Sequence, residues 1–132
     1  MRLLINIDVP DLVQAQQFYC AEFGLRNARR FGDDVIELLG AEVPIYLLRK
    51  PAHLIAAGKT QRDYTRHRTP VHCDVLVDNL DVALAHALTA GARQDGAIRV
   101  ADWGRIVQLA DPFGHGWCLI QFSATGYDAI AT

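Results

Sequence analysis

The segment Leu3–Val9, LLINIDV, alternates: Leu3, Ile5, Ile7 and Val9 fall on one face, Leu4, Asn6 and Asp8 on the other. A period of two is that of a half-buried strand. Pro10 and Asp11 then open a helix from Leu12 to about Phe23, with Leu12, Ala15, Phe18, Tyr19 and Phe23 near one stripe, and Gly24 suits its end. Shorter strands are expected at about Asn27–Phe31, Val35–Leu39 and Pro44–Lys50, punctuated by Gly32-Asp33-Asp34 and Gly40-Ala41-Glu42. Residues 51–70 follow without periodicity. The polar and basic run Ala56–Pro70 reads as a linker or as a loop over a site.

The second half repeats the plan. A strand is expected at Val71–Val77 and a helix from Leu80 to about Thr89, capped by Asn79 or Asp78 and ended by Gly91. Further strands fall around Ala92–Gln94, Gly104–Ala110 and Trp117–Phe122. The halves match at an offset of 68, Leu12 with Leu80 and Ala15 with Ala83, and Gly24 matches Gly91 with one residue lost. A half of roughly 50 residues is too small to bury its sheet well. Two halves can place their helices outside and curl their sheets around a common cleft.

Composition narrows the classes. The chain has 132 residues, 51% hydrophobic and 21% charged, which suits one globular domain with a real core. A net charge of −2 draws in no nucleic acid. The first seventy residues carry ten basic and eight acidic groups, the remainder three and seven. That mild asymmetry can help subunits meet or bias a ligand. No run approaches a membrane span, and Asn6 and Asp8 break the first apolar stretch, unlike a signal peptide. Cys20, Cys73 and Cys118 form no disulfide framework, so a reducing, cytoplasmic compartment is expected.

Three stretches together carry a resemblance: INIDVPDLVQAQQFYCAEFGL (Ile5–Leu25), HCDVLVDNLDVALAHALTAGA (His72–Ala92) and WGRIVQLADPFGHGWCL (Trp103–Leu119). They resemble the vicinal-oxygen-chelate superfamily of glyoxalases, bleomycin-resistance proteins and extradiol dioxygenases, over about residues 3–122. The resemblance implies an α+β fold: tandem βαβββ modules forming curled mixed sheets around a cup, helices outside. Module one then spans about 3–50, the linker about 51–70, module two about 71–122 and a C-terminal tail 123–132. It also implies a homodimer.

Metal-using members take a His at the start of each module's first strand and a Glu in each module's last strand. Counting back seven residues from Asp11-Leu12 gives Leu4, which has no donor; the same count from Asn79-Leu80 gives His72. The Glu position of the final strand is Cys118, and that of PIYLLRK is Tyr46 or Leu48. His72 and Cys118 suit zinc, but the set stays at least one donor short unless Asp74, Tyr46 or a partner subunit helps. The expectation is therefore no metal, no cofactor and no metal-dependent enzyme. His72 reads as a hydrogen-bonded cavity histidine or as an acid or base, and Cys118 as a small buried hydrophobe.

Strand parity turns His72, Asp74 and Leu76 inward, together with Cys118 and Ile120, and Ile106 and Gln108 or their neighbours. The expected ligand cavity comprises Leu4, Asn6, Tyr46, His72, Asp74, Trp103, Gln108, Cys118 and Ile120, largely apolar with a few polar groups. Trp103 reads as an aromatic platform at the rim or as core, and Trp117, of opposite parity to Cys118, as core or interface. In DPFGH, Asp111 is expected to cap its own turn, with His115 at the surface. Lys59, Arg62, Arg66, His67 and Arg68 form a solvated linker or a cover that attracts an anionic ligand. The functional expectation is metal-independent binding of a small planar or aromatic molecule, antibiotic sequestration included, with no nucleic-acid or membrane partner. The alternatives are a glyoxalase-type metal-dependent lyase or isomerase, a ring-cleaving dioxygenase, and a regulatory protein with a vestigial cup.

Overall fold

Alternation in the first strand buries Ile7 and Val9 in the core. The computed structural model describes residues 1–132, which form two compact units, Met1–Thr65 and Arg66–Thr132. The first contains β1 (Ile5–Val9), α1 (Leu12–Phe23), β2 (Arg26–Phe31), β3 (Val35–Leu39) and β4 (Ile45–Arg49), then a small hairpin of β5 (Ile55–Ala57) and β6 (Thr60–Gln61). The sheet order is β1-β4-β3-β2, with β1 parallel to β4 and the other pairs antiparallel. Asp11 Oδ1 accepts from the amide of Gln14 at 2.9 Å, satisfying one of the free donors of the first turn of α1. Leu12, Ala15, Phe18 and Tyr19 are the buried stripe of α1, which packs on β2, β3 and β4.

The second unit contains β7 (Cys73–Leu76), α2 (Leu80–Ala90), β8 (Arg93–Gln94), β9 (Arg99–Ala101), β10 (Gly104–Ala110) and β11 (Gly116–Phe122), and ends in a 3-10 turn at Gly126–Ala129. Its sheet runs β7-β11-β10-β8, with β9 also on β10. Again the first strand lies parallel to the last. Asn79 caps α2 by accepting from Val82 N at 3.1 Å, and the side chain of Gln121 accepts from Leu80 N at 2.8 Å. Gly104 is required where β10 starts: at φ 146 it sits so close to β11 that a Cβ would stand 2.2 Å from the carbonyl oxygen of Gln121.

The expected curled sheets around a cup are not found. Both sheets are open ladders with unpaired outer edges, neither closed nor strongly curled. The tandem βαβββ order survives that correction. The physical reason lies in strand number: four or five strands of seven residues or fewer fall well short of the roughly eight that close a small barrel. Three short strands were also not anticipated, β5, β6 and β9. Strand one begins at Ile5 rather than Leu3, and β7 is shorter than Val71–Val77. No helix is long and apolar enough to cross a membrane.

The turn between β10 and β11 is built around one carboxylate. Asp111 is 2% exposed. Its Oδ1 accepts from the amides of Phe113 (2.8 Å) and His115 (2.9 Å), and its Oδ2 lies 2.8 Å from His115 Nδ1. Replacing Asp111 with Ala strands two amides at the turn and is expected to cost about 2–4 kcal/mol in urea unfolding, with an unchanged m-value.

Candidate functional site

The open face of the second sheet carries a cross-strand row. Asp74 on β7 pairs in register with Cys118 on β11, and Cys118 pairs with Gln108 on β10. Residues directly opposite in neighbouring strands share a face, so these side chains lie side by side. His72 immediately precedes β7, and its Nε2 lies 3.3 Å from Asp74 Oδ1. One donor atom each from His72, Asp74 and Cys118 lies within 4.8 Å of the others. Cys118 is 3% exposed, whereas His72 and Asp74 reach solvent. Burial, and then the charge and hydrogen bond of Asp74, push the Cys118 thiol up to about 11.

A cleft of about 330 Å³ opens beside this cluster. His72, Gln108, Trp117 and Cys118 form one part of its lining; Arg66, Arg68, Thr69, Pro70 and Gly116 form the rest. Ile120 lies one row further along, opposite Leu76 and Ile106, and is buried. Trp103 does not line the cleft. Its ring packs 5.4 Å from that of Tyr127, which in turn meets Phe122 at 4.7 Å.

In the first unit, Leu4 is 57% exposed ahead of β1. Asn6 and Tyr46 pair in register, and Tyr46 pairs with Glu37 on β3. The Tyr46 hydroxyl donates to Glu37 Oε1 at 2.7 Å, and Arg29 grips both carboxylate oxygens through Nε and Nη2, each at 2.7 Å. Glu37 is 4% exposed. The Arg29 hydrogen bonds, then that of Tyr46, hold its carboxyl down at about 2 against the ordinary 4.5. Sequence reasoning did not single out Arg29 or Glu37. The available signal was a lone carboxylate inside the apolar strand VIELL.

The sequence profile of the glyoxalase-like domain family matches residues 4–120, and the chain belongs to that family. Uncharacterized proteins of Mycobacterium bovis and Mycobacterium tuberculosis are each 30% identical over 121 residues, or 88% of this chain and 80% and 71% of theirs. Among solved structures, the fosfomycin resistance protein FosX from Listeria monocytogenes superposes with a TM-score of 0.72 at 17% identity, covering 94% of each chain. A glyoxalase-related enzyme from Fulvimarina pelagi gives 0.71 at 16%, covering 96% of this chain and 94% of that one. TioX from Micromonospora sp. ML1 gives 0.68 at 18%, covering 93% and 99%. At these identities the structures establish the fold. Family and fold together support a small-molecule site, and an antibiotic-resistance protein stands among the structural relatives.

Two pH effects follow. The folded Glu37 carboxyl binds fewer protons than the unfolded one between about pH 4.5 and 2. Its contribution to stability is therefore complete above that window and is lost as pH falls through it. Denaturation midpoints across this range should fall less steeply for Glu37→Gln than for the wild type. For Cys118, thiolate absorbance of the metal-free protein should develop only near pH 11, and Asp74→Asn should lower that midpoint.

Proposed function

We propose that the protein is a metal-dependent member of its superfamily, holding a divalent ion through His72, Asp74 and Cys118 and acting on a small oxygen-bearing molecule in the adjoining cleft. The observation that carries this reading is the convergence of three donor atoms within 4.8 Å at the cleft wall. The donor set fits zinc: catalytic zinc sites take three protein ligands, drawn from imidazole, thiolate and carboxylate, and leave a fourth position open. From the sequence, His72 and Cys118 stay at least one donor short unless Asp74, Tyr46 or a partner subunit helps; Asp74 is the one of these whose carboxylate lies with them.

When bound, the ion would supply Lewis-acid polarisation of a ligand oxygen. The chain's own residues do the rest. Asp74 lies beside the His72 ring, its Oδ1 3.3 Å from Nε2, so that the two donors face one point. Gln108 presents an amide in the same cross-strand row, where it can hydrogen-bond and align a polar ligand.

Titration of chelator-treated protein with cobalt(II) and zinc tests the reading. A single equivalent of cobalt should bind with a thiolate-to-cobalt charge-transfer band. Cys118→Ser should abolish the band, and both Cys118→Ser and His72→Ala should weaken zinc binding by at least the ~10–100-fold typical of losing an outer partner of a metal ligand. Magnesium should not compete, since imidazole and thiolate favour softer ions. Absence of any stoichiometric ion would return the site to metal-free ligand binding.

A further inference from the structure

The second unit begins with an arginine laid against the start of β11. Arg66 donates from Nε to Asp95 Oδ2 at 2.8 Å and from Nη1 to the carbonyl of His67. Its guanidinium lies over Gly116, where a Cβ would stand 2.7 Å from Nη2 and 3.1 Å from Cζ. The guanidinium thus occupies the space that any other residue at 116 would fill with its own side chain. The second N–H of Nη1 and both of Nη2 are not used in those two bonds. Arg66 lines the same cleft as His72 and Cys118, and Arg68 lines it too.

Each of these facts bears on what the cleft takes. A guanidinium fork matches the paired oxygens of a carboxylate or a phospho group, which a single ammonium cannot do. A long side chain normally loses rotamer freedom when it grips a ligand; here Asp95, His67 and the glycine seat have already fixed it before any ligand arrives. Asp95 offsets one positive charge, and Arg68 keeps that wall of the cleft net positive.

We infer that Arg66, seated on Gly116, is an oxyanion anchor, and that the ligand of this cleft carries a carboxylate, phosphate or phosphonate group. This rests on the reading of the cleft as the ligand site and narrows it to a chemical class.

The test uses the chelator-treated 132-residue chain, so that no ion contributes. Inorganic phosphate, methylphosphonate and acetate are titrated separately, following the Gly116 amide and the arginine Nε resonances by NMR. At least one of them should give saturable shifts at Gly116 and Arg66, and comparing the three separates a phospho group from a carboxylate. Arg66→Gln should weaken that binding by at least ~10-fold, the scale of a lost charge-assisted hydrogen bond. Gly116→Ala, which displaces the guanidinium without removing it, should weaken it as well, and Arg68→Ala should do so to a smaller degree. Arg93→Gln, on β8 and outside the cleft lining, should leave it unchanged. No saturable response to any of the three anions, or a response that survives both Arg66→Gln and Gly116→Ala, would overturn the anchor. Cobalt binding measured on the same preparations separates the two ideas: ion binding without an anion response removes the anchor alone, and an anion response without ion binding removes the metal alone.

Discussion

The parallel pairing of β7 with β11 is the constraint on which the second unit depends. It joins the first strand of the unit to its last and sets Cys118 opposite Asp74. That register is set from two sides. The Asp111 carboxylate closes the turn that starts β11, fixing Cys118 against Gln108. Gln121, near the far end of the same strand, caps α2 and ties β11 to the crossover helix. Strand side chains alternate, so a slip of one residue would carry Cys118 to the helix face and bring Trp117 or Leu119 into the row. A buried carboxylate with no role in chemistry thus decides which side chains meet at the site.

The two units use one scaffold for opposite electrostatic ends. On the open face of the first sheet, Glu37 is gripped by Arg29 and Tyr46 and its charged form is favoured. That cluster is satisfied from within and behaves as a strut across β2, β3 and β4. On the corresponding face of the second sheet, a buried thiol lies beside a carboxylate that opposes its ionisation. The two units share a strand order but differ at a few inward positions, which gives one a structural cluster and the other a candidate binding one.

Much of the fold was legible because its signals are local. Asp11 and Asn79 cap helices within three residues of themselves, and the strands Val35–Leu39 and Gly104–Ala110 are bounded by adjacent turns. The face shared by Asp74, Gln108 and Cys118 follows from alternation within strands. What sequence did not reveal depends on distant partners. β9 exists only by pairing with β10. Trp103 packs on Tyr127, a tail residue with no periodic pattern around it. Sheet curl is a property of strand number and bulges rather than of which residues alternate, so a pattern of apolar and polar positions gives no measure of it. Glu37 showed only as a charge out of place, and its partner Arg29 reads like any other surface arginine until the register is known.

The state of Cys118 bears on what the cluster can do. A protonated thiol at 3% exposure is a serviceable small hydrophobe, and packing alone would be satisfied by Val or Ala. Beside it the Asp74 carboxylate opposes ionisation and favours the protonated thiol, which is the form that both the folded and the unfolded chain hold at neutral pH. On the proposed metal reading, the same proximity that opposes ionisation of the bare thiol would supply charge to hold the ion. Ion binding would release the thiol proton, so affinity would rise with pH.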